Sequence, residues 1–189
     1  ESLVIVAHSM GGLVARSAVH CERKGRHAWC KSLDAMVFLG TPHLGAPLER
    51  GGHWIDLLLG ATPYAAPLAK LGKVRSNGIN DLRHGSVTDD DWSSSAASSS
   101  VGTEHATLPL PTRVRCYAIA ATMKASATRG VGWLGDGLVP VSSALGEDKN
   151  GIRSLNFVPE HRAILEDCNH MELLTSPAAY TILRRFLAQ

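Results

Sequence analysis

The sequence predicts an α/β fold in which a mostly parallel sheet is flanked by helices. Three observations predict it. Leu3-Val4-Ile5-Val6 is an apolar, largely β-branched run that leads into a helical spacing of Leu13, Val14, Ser17, Ala18 and Cys21. A second apolar run, Leu33 to Leu39, follows that helix, and strand–helix–strand reads as a parallel βαβ unit. A third, Val114 to Ala121, is entered from Pro109 and Pro111. With 189 residues, 44% of them hydrophobic and 19% charged, residues 1–189 suffice for a single domain with a real core.

The first strand reads as buried on both faces and ends at Ala7-His8-Ser9-Met10-Gly11-Gly12. A serine on a sharp strand-to-helix turn, with glycines after it, is the layout of a nucleophile elbow, so Ser9 is the candidate attacking residue. Ala7 and Gly11, two positions to either side, are expected to be small so that strand end and helix start can approach. The turn strains the backbone at Ser9, at a cost of about 1–3 kcal/mol, and is expected to leave Oγ exposed above the sheet. The backbone N–H of Met10, at the helix N-terminus, points where an oxyanion would develop. The alternative is a Gly-rich turn of an α/β unit with an idle serine. Arg23-Lys24-Gly25 ends the helix.

The second strand runs out into Gly40-Thr41-Pro42-His43-Leu44-Gly45-Ala46-Pro47. Ligands of open α/β sheets sit at this end of the strands, which makes His43 a candidate lining residue. Residues 47–85 carry helical, apolar patterns (Trp54 to Leu59, Pro63 to Leu71, Ile79 to Leu82) and read as a helical cap, the alternative being ordinary packing helices. Residues 86–111 differ in kind: Asp89-Asp90-Asp91-Trp92 leads into a serine tract, Ser93 to Ser100, that cannot build a core and reads as a flexible surface loop. The three aspartates read as a solvated acidic turn, and no further ligand pattern supports a metal. After the third strand come the glycines 130, 132, 135 and 137, with Asp136 among them, and a short helix or turn from Ser142 to Leu145. Ile152 to Val158 reads as a strand paired to Arg162–Glu166, and Pro177 to Leu187 as a closing amphipathic helix.

Composition excludes several classes. A net charge of +2, 5% aromatics and no basic stripe do not imply a nucleic-acid partner. No apolar run approaches a membrane span, and no cofactor motif is present. Cys21, Cys30, Cys116 and Cys168 show neither C-x-x-C nor zinc-finger spacing and read as free thiols of a reducing compartment, with a Cys21–Cys30 disulfide as the alternative. Glu1 is not an initiator methionine, so any leader would lie upstream; the compartment stays open, the thiols favouring the cytoplasm. Oligomeric state is not legible.

An alcohol is a poor nucleophile at neutral pH. Ser9 therefore needs a base, and the base needs an acceptor on its other nitrogen. Of nine histidines, His170 is the leading base because it lies in a loop between a strand region and the terminal helix; His161 is the runner-up. His8 adjoins the nucleophile but points the wrong way to be a base. Asp136 is the leading acid, in a loop at the expected edge. Asp148 lies in a solvated charged run, and Asp167 is too close in sequence to His170 to approach it from behind.

Taken together, VIVAHSMGGLVAR, FLGTPHLGAP, GDGLVPVSSA and CNHMELL resemble the lipase/esterase branch of the α/β-hydrolases. More narrowly, they resemble bacterial esterases similar to the GPI inositol-deacylase-like group. Ser76 to Arg83 and Asp89 to Trp92 are similar to the cap segment of such enzymes. The resemblance implies Ser9 as nucleophile, Asp136 as acid, His170 as base and the Met10 N–H as one oxyanion donor. The Gly-Thr-Pro-His loop would line the acyl site, placing His43 and Leu44 against substrate. One departure stands out: the family's elbow follows its fifth strand and its second oxyanion donor follows its third, whereas here the elbow strand comes first. The expectation is the C-terminal half of a hydrolase fold, its sheet open at one edge with apolar surface uncovered and its oxyanion hole incomplete. A minimal hydrolase that takes the second donor from the cap is the alternative.

The function this implies is hydrolysis of a small-molecule or lipid carboxylic ester through an acyl-enzyme on Ser9, without cofactor, weak or inactive if one oxyanion donor is missing. An acyltransferase or thioesterase would use the same residues. A degenerate hydrolase domain retained as a binding module would need none of them.

Overall fold

The computed structural model describes residues 2–25, 28–46, 108–123 and 135–188. The cap expected at 47–85 and the serine-rich stretch up to residue 107 lie outside the described residues. Strand β1 (Leu3–His8) runs into helix α1 (Met10–Gly25); β2 (Leu33–Leu39) and β3 (Arg115–Thr122) follow. A short helix α2 (Val141–Ala144), strand β4 (Arg162–Glu166) and helix α3 (Pro177–Leu187) complete the order. The strands pair side by side as β1-β2-β3-β4, every pair parallel. The predicted parallel α/β architecture is thus the observed one, with boundaries at β2 and α3 where the sequence placed them.

Both faces of the central strands are covered, as their unbroken apolar composition requires. On one face Met36, Phe38, Ala118 and Ala120 pack with Ala15 and Val19 of α1 and with Leu145, Leu155 and Phe157. On the other, Val37, Tyr117 and Ile119 pack with Leu165, Leu173 and Phe186. Tyr117 lies between the rings of His161 and Phe186, with centroids 4.3 and 4.7 Å away. Helix α3 is well specified: Pro177 opens it, the Ser176 side chain accepts from the Ala179 N–H, and Arg184 and Arg185 sit in its last turn.

Two expectations are corrected. Among the described residues β1 is the outermost strand, and Leu3, Val4 and Val6 are exposed, Val6 by 46%, so the sheet has the open edge and uncovered apolar surface that the resemblance implies rather than a first strand buried on both faces. An apolar run alone does not distinguish a central strand from an edge strand whose face lies open. Residues 152–158 form no strand: Asn156 takes a left-handed φ of 53° that breaks an extended run, and the expected partner β4 pairs with β3. The alternation misread as a strand is real burial: Leu155 and Phe157 enter the core while Ile152 and Val158 face solvent. All four cysteines are free, so the Cys21–Cys30 alternative falls.

Candidate active site

Backbone hydrogen bonds continue past the strand ends and tie their C-terminal tips together. The Ser9 N–H donates to Leu39 O at 2.9 Å, the Gly40 N–H to Ile119 O at 2.9 Å, and the Cys168 N–H to Thr122 O at 3.2 Å. Residues that leave β1, β2 and β4 are therefore held in register by the sheet itself.

Ser9 is the sharp turn between β1 and α1. Its φ is 54°, a left-handed value that a serine adopts only under constraint, and its carbonyl accepts from the Gly12 N–H at 3.0 Å. Met10 is the first residue of α1, so its N–H has no acceptor within the helix. Against expectation, Ser9 is not exposed. Only 3% of it reaches solvent. Its Oγ makes no hydrogen bond among the described residues.

The requirement for small residues also moves. A Cβ at Gly11 would meet nothing within 4 Å among the described residues, whereas one at Gly12 would lie 2.1 Å from Thr41 Oγ1. Gly12, not Gly11, is what lets α1 approach the end of β2. Thr41 is wholly buried there, its hydroxyl without a hydrogen-bond partner among the described residues.

Asp136 sits in a tight loop between Gly135 and Gly137, both at positive φ. Glycine at 135 is obligatory, since a Cβ would fall 1.9 Å from Val139 O. One carboxylate oxygen accepts from the Leu138 and Val139 N–H groups at 3.0 and 2.7 Å, and the other accepts from His170 Nδ1 at 2.7 Å. The His170 N–H also donates to Asp136 O at 3.0 Å. With Nδ1–H committed to a carboxylate, Nε2 of the neutral ring carries the lone pair. Asp136 and His170 are 2% and 1% exposed, so this pair is shielded from water.

His8 comes to the same place from β1. Its ring packs on that of His170 with centroids 4.6 Å apart, and its Nε2 donates to His170 O at 3.0 Å. Burial, then the nearby His170, pushes the His8 imidazole below its ordinary pKa.

His43 packs elsewhere. It is buried against Phe38 and Phe157, and its Nδ1 lies 3.4 Å from an Arg16 guanidinium nitrogen. Burial, reinforced by the Arg16 charge, pushes it well below its ordinary value. Arg16 also donates to Leu108 O. Leu44 is half-buried, its N–H donating to Ser143 Oγ at 3.2 Å, while that hydroxyl donates to Gly45 O at 2.6 Å. Helix α2 thus clamps the loop after β2.

His161 Nδ1 donates to Cys116 O near the start of β3; Asp148 accepts from the Arg153 N–H, and Asp167 is exposed. Arg16 and the support from His8 escaped sequence reading. A signal for Arg16 was present, since it falls among Gly12, Leu13, Ala15 and Val19 on the buried face of α1. None marked His8, whose partner is 162 residues away.

A parallel sheet with helices on both faces, a strained serine at one strand tip and a buried aspartate–histidine pair at the same edge define an α/β-hydrolase-type domain. Its fold is shared with two solved lipases. Bacillus licheniformis lipase BlEst2 in its mature form matches at 16% identity and a TM-score of 0.53, over 99% of this chain and 66% of that one. Lipase 1 from Pelosinus fermentans matches at 14% identity and a TM-score of 0.53, over 100% of this chain and 72% of that one. Residues 1–126 match the PGAP1-like alpha/beta domain, and the chain belongs to that family. No curated protein matches it. Among the described residues no helix is long and apolar enough to cross a membrane.

Proposed function

We propose that the chain is a serine hydrolase acting on carboxylic esters. The carrying observation is the buried His170–Asp136 hydrogen bond of 2.7 Å at the same strand tips as a serine held at φ 54°. Ser9 Oγ attacks the ester carbonyl as its proton passes to His170 Nε2, and the Met10 N–H faces the oxygen that gains charge. The C–O bond to the alcohol breaks with that proton returned to the leaving oxygen. Water, deprotonated by His170, then attacks the acyl carbon; the acyl–Oγ bond breaks, the acid leaves, and His170 returns the proton to Ser9 Oγ. Asp136 fixes the tautomer of His170 and steadies the imidazolium. The loop after β2, with Leu44 half-buried and His43 beneath it, is our candidate lining for the acyl group.

The test is labelling with a fluorophosphonate together with turnover of p-nitrophenyl esters of rising chain length. Covalent label and ester cleavage that both vanish in Ser9→Ala are expected. Full-length wild-type protein that neither labels nor cleaves any ester would sink the reading, and product formed only with an added alcohol would make it an acyltransferase.

A further inference from the structure

We propose that His8 is a positioning residue: it holds the backbone of His170 from the neighbouring β1 tip and so sets the spacing between base and nucleophile. The inference rests on the serine-hydrolase reading above. Nothing in the chemistry of Ser9, Asp136 or His170 requires a histidine at position 8.

The geometry carries it. The carbonyl of His170 can only accept, so at 3.0 Å His8 Nε2 must be the donor, which assigns its proton. Three bonds to described residues hold His170: its N–H to Asp136 O, its Nδ1–H to Asp136 Oδ2, and its C=O from His8. The first two lead to the Asp136 loop. The third leads to the strand that bears Ser9, and His8 is covalently next to Ser9. A bond from the residue before the nucleophile to the base's own backbone ties the two reacting groups together with one side chain between them. The ring of His8 also lies against the imidazole of His170, so lateral movement of the base is blocked. Because burial and the His170 charge disfavour protonation of His8, it stays a neutral neighbour when the base takes up its proton. The charged or titratable groups facing it are His170 and Asp136.

Amide side chains separate this role from simple packing. The amide nitrogen of glutamine reaches where histidine Nε2 sits, whereas that of asparagine matches Nδ1 and falls short. His8→Asn is expected to lower kcat about 10- to 100-fold with KM within about threefold, and His8→Gln to restore kcat to within about threefold of wild type. Should His8→Asn fail to fold by thermal melting, His8→Phe, which keeps a ring and loses the donor, replaces it. Long-range proton–nitrogen NMR of the wild-type chain must also show His8 protonated at Nε2. A His8→Gln enzyme as slow as His8→Asn, a donor-less variant as fast as wild type, or His8 protonated only at Nδ1 overturns the proposal. Failure of the underlying reading looks different: turnover retained by Ser9→Ala, or none in the wild type, removes the serine mechanism and this inference with it.

Discussion

Replacing Gly12 with alanine tests how closely α1 approaches the turn after β2. The added Cβ would lie 2.1 Å from Thr41 Oγ1, 2.5 Å from its Cγ2 and 2.8 Å from its Cβ. Thr41 is wholly buried and β-branched, so it has little room to rotate away. Overpacking of this kind costs about 1–3 kcal/mol, and contacts this short place it near the top of that range. Alanine regains about 1 kcal/mol of helix propensity, leaving a net loss of about 2 kcal/mol. For a chain of this length that lowers Tm by about 4–8 °C. Gly11→Ala meets nothing within 4 Å among the described residues and keeps only the propensity gain, so its Tm should rise by a few degrees, on the order of 2–4 °C. Thermal melts of both variants, read beside fluorophosphonate labelling rates, measure the difference. Gly12→Ala should also label more slowly, because shifting the start of α1 moves Ser9. In Gly12→Ala/Thr41→Ala only the 2.8 Å contact with Cβ remains, so most of the loss should return. Equal stability of the two glycine variants, or no recovery in the double variant, would refute the reasoning.

Three further outcomes follow from the site. Asp136→Asn leaves an oxygen for the Leu138 and Val139 N–H groups but takes the carboxylate from His170; ester turnover should fall on the order of 10³–10⁴ with Tm little changed, and an unaltered rate would remove Asp136 from the mechanism. Ser9 sits at φ 54°, where glycine is at ease and alanine is not, so Ser9→Gly should be about 1 kcal/mol more stable than Ser9→Ala, and a less stable glycine variant would deny the strain. His43 stays neutral when folded and has an ordinary pKa of about 6.5 when unfolded. The unfolded chain therefore binds an extra proton below that pH, and stability should fall on acidification by about 1.4 kcal/mol per pH unit until the folded value is reached. His43→Phe should remove that one-proton slope from denaturation curves taken between pH 7 and 5, and unchanged curvature would count against it.

The features legible in the sequence are those encoded locally. The run Leu33–Leu39 is apolar at every position but Asp34, and every residue of it but Asp34 is buried. Ser176-Pro177 announces α3 by cap and proline, and the glycines beside Asp136 announce a loop in which only glycine fits. The order of Ser9, Asp136 and His170 along the chain was readable as a pattern, and each of the three stands at the C-terminal edge of the sheet. What escaped reading depends on residues far apart in sequence. The segment 152–158 alternates as a strand would, but the left-handed turn at Asn156 breaks the extended run, and β4 pairs with the distant β3, which no local pattern records.

The misassigned glycine shows the same division within the site. Counting positions from Ser9 selects Gly11, since the motif is defined along the chain. Close approach is decided across space, and there the helical rotation of about 100° between Gly11 and Gly12 matters: the first faces solvent and the second faces Thr41. His8 and Arg16 belong to this second kind. Both hold functional-edge loops to the elbow unit from positions whose partners, His170 and His43, lie on other strands' exits. A motif therefore identifies which atoms are candidates to react. How firmly they are held depends on contacts made after the chain has folded, and the Gly12 and His8 variants probe those contacts while leaving Ser9, Asp136 and His170 in place.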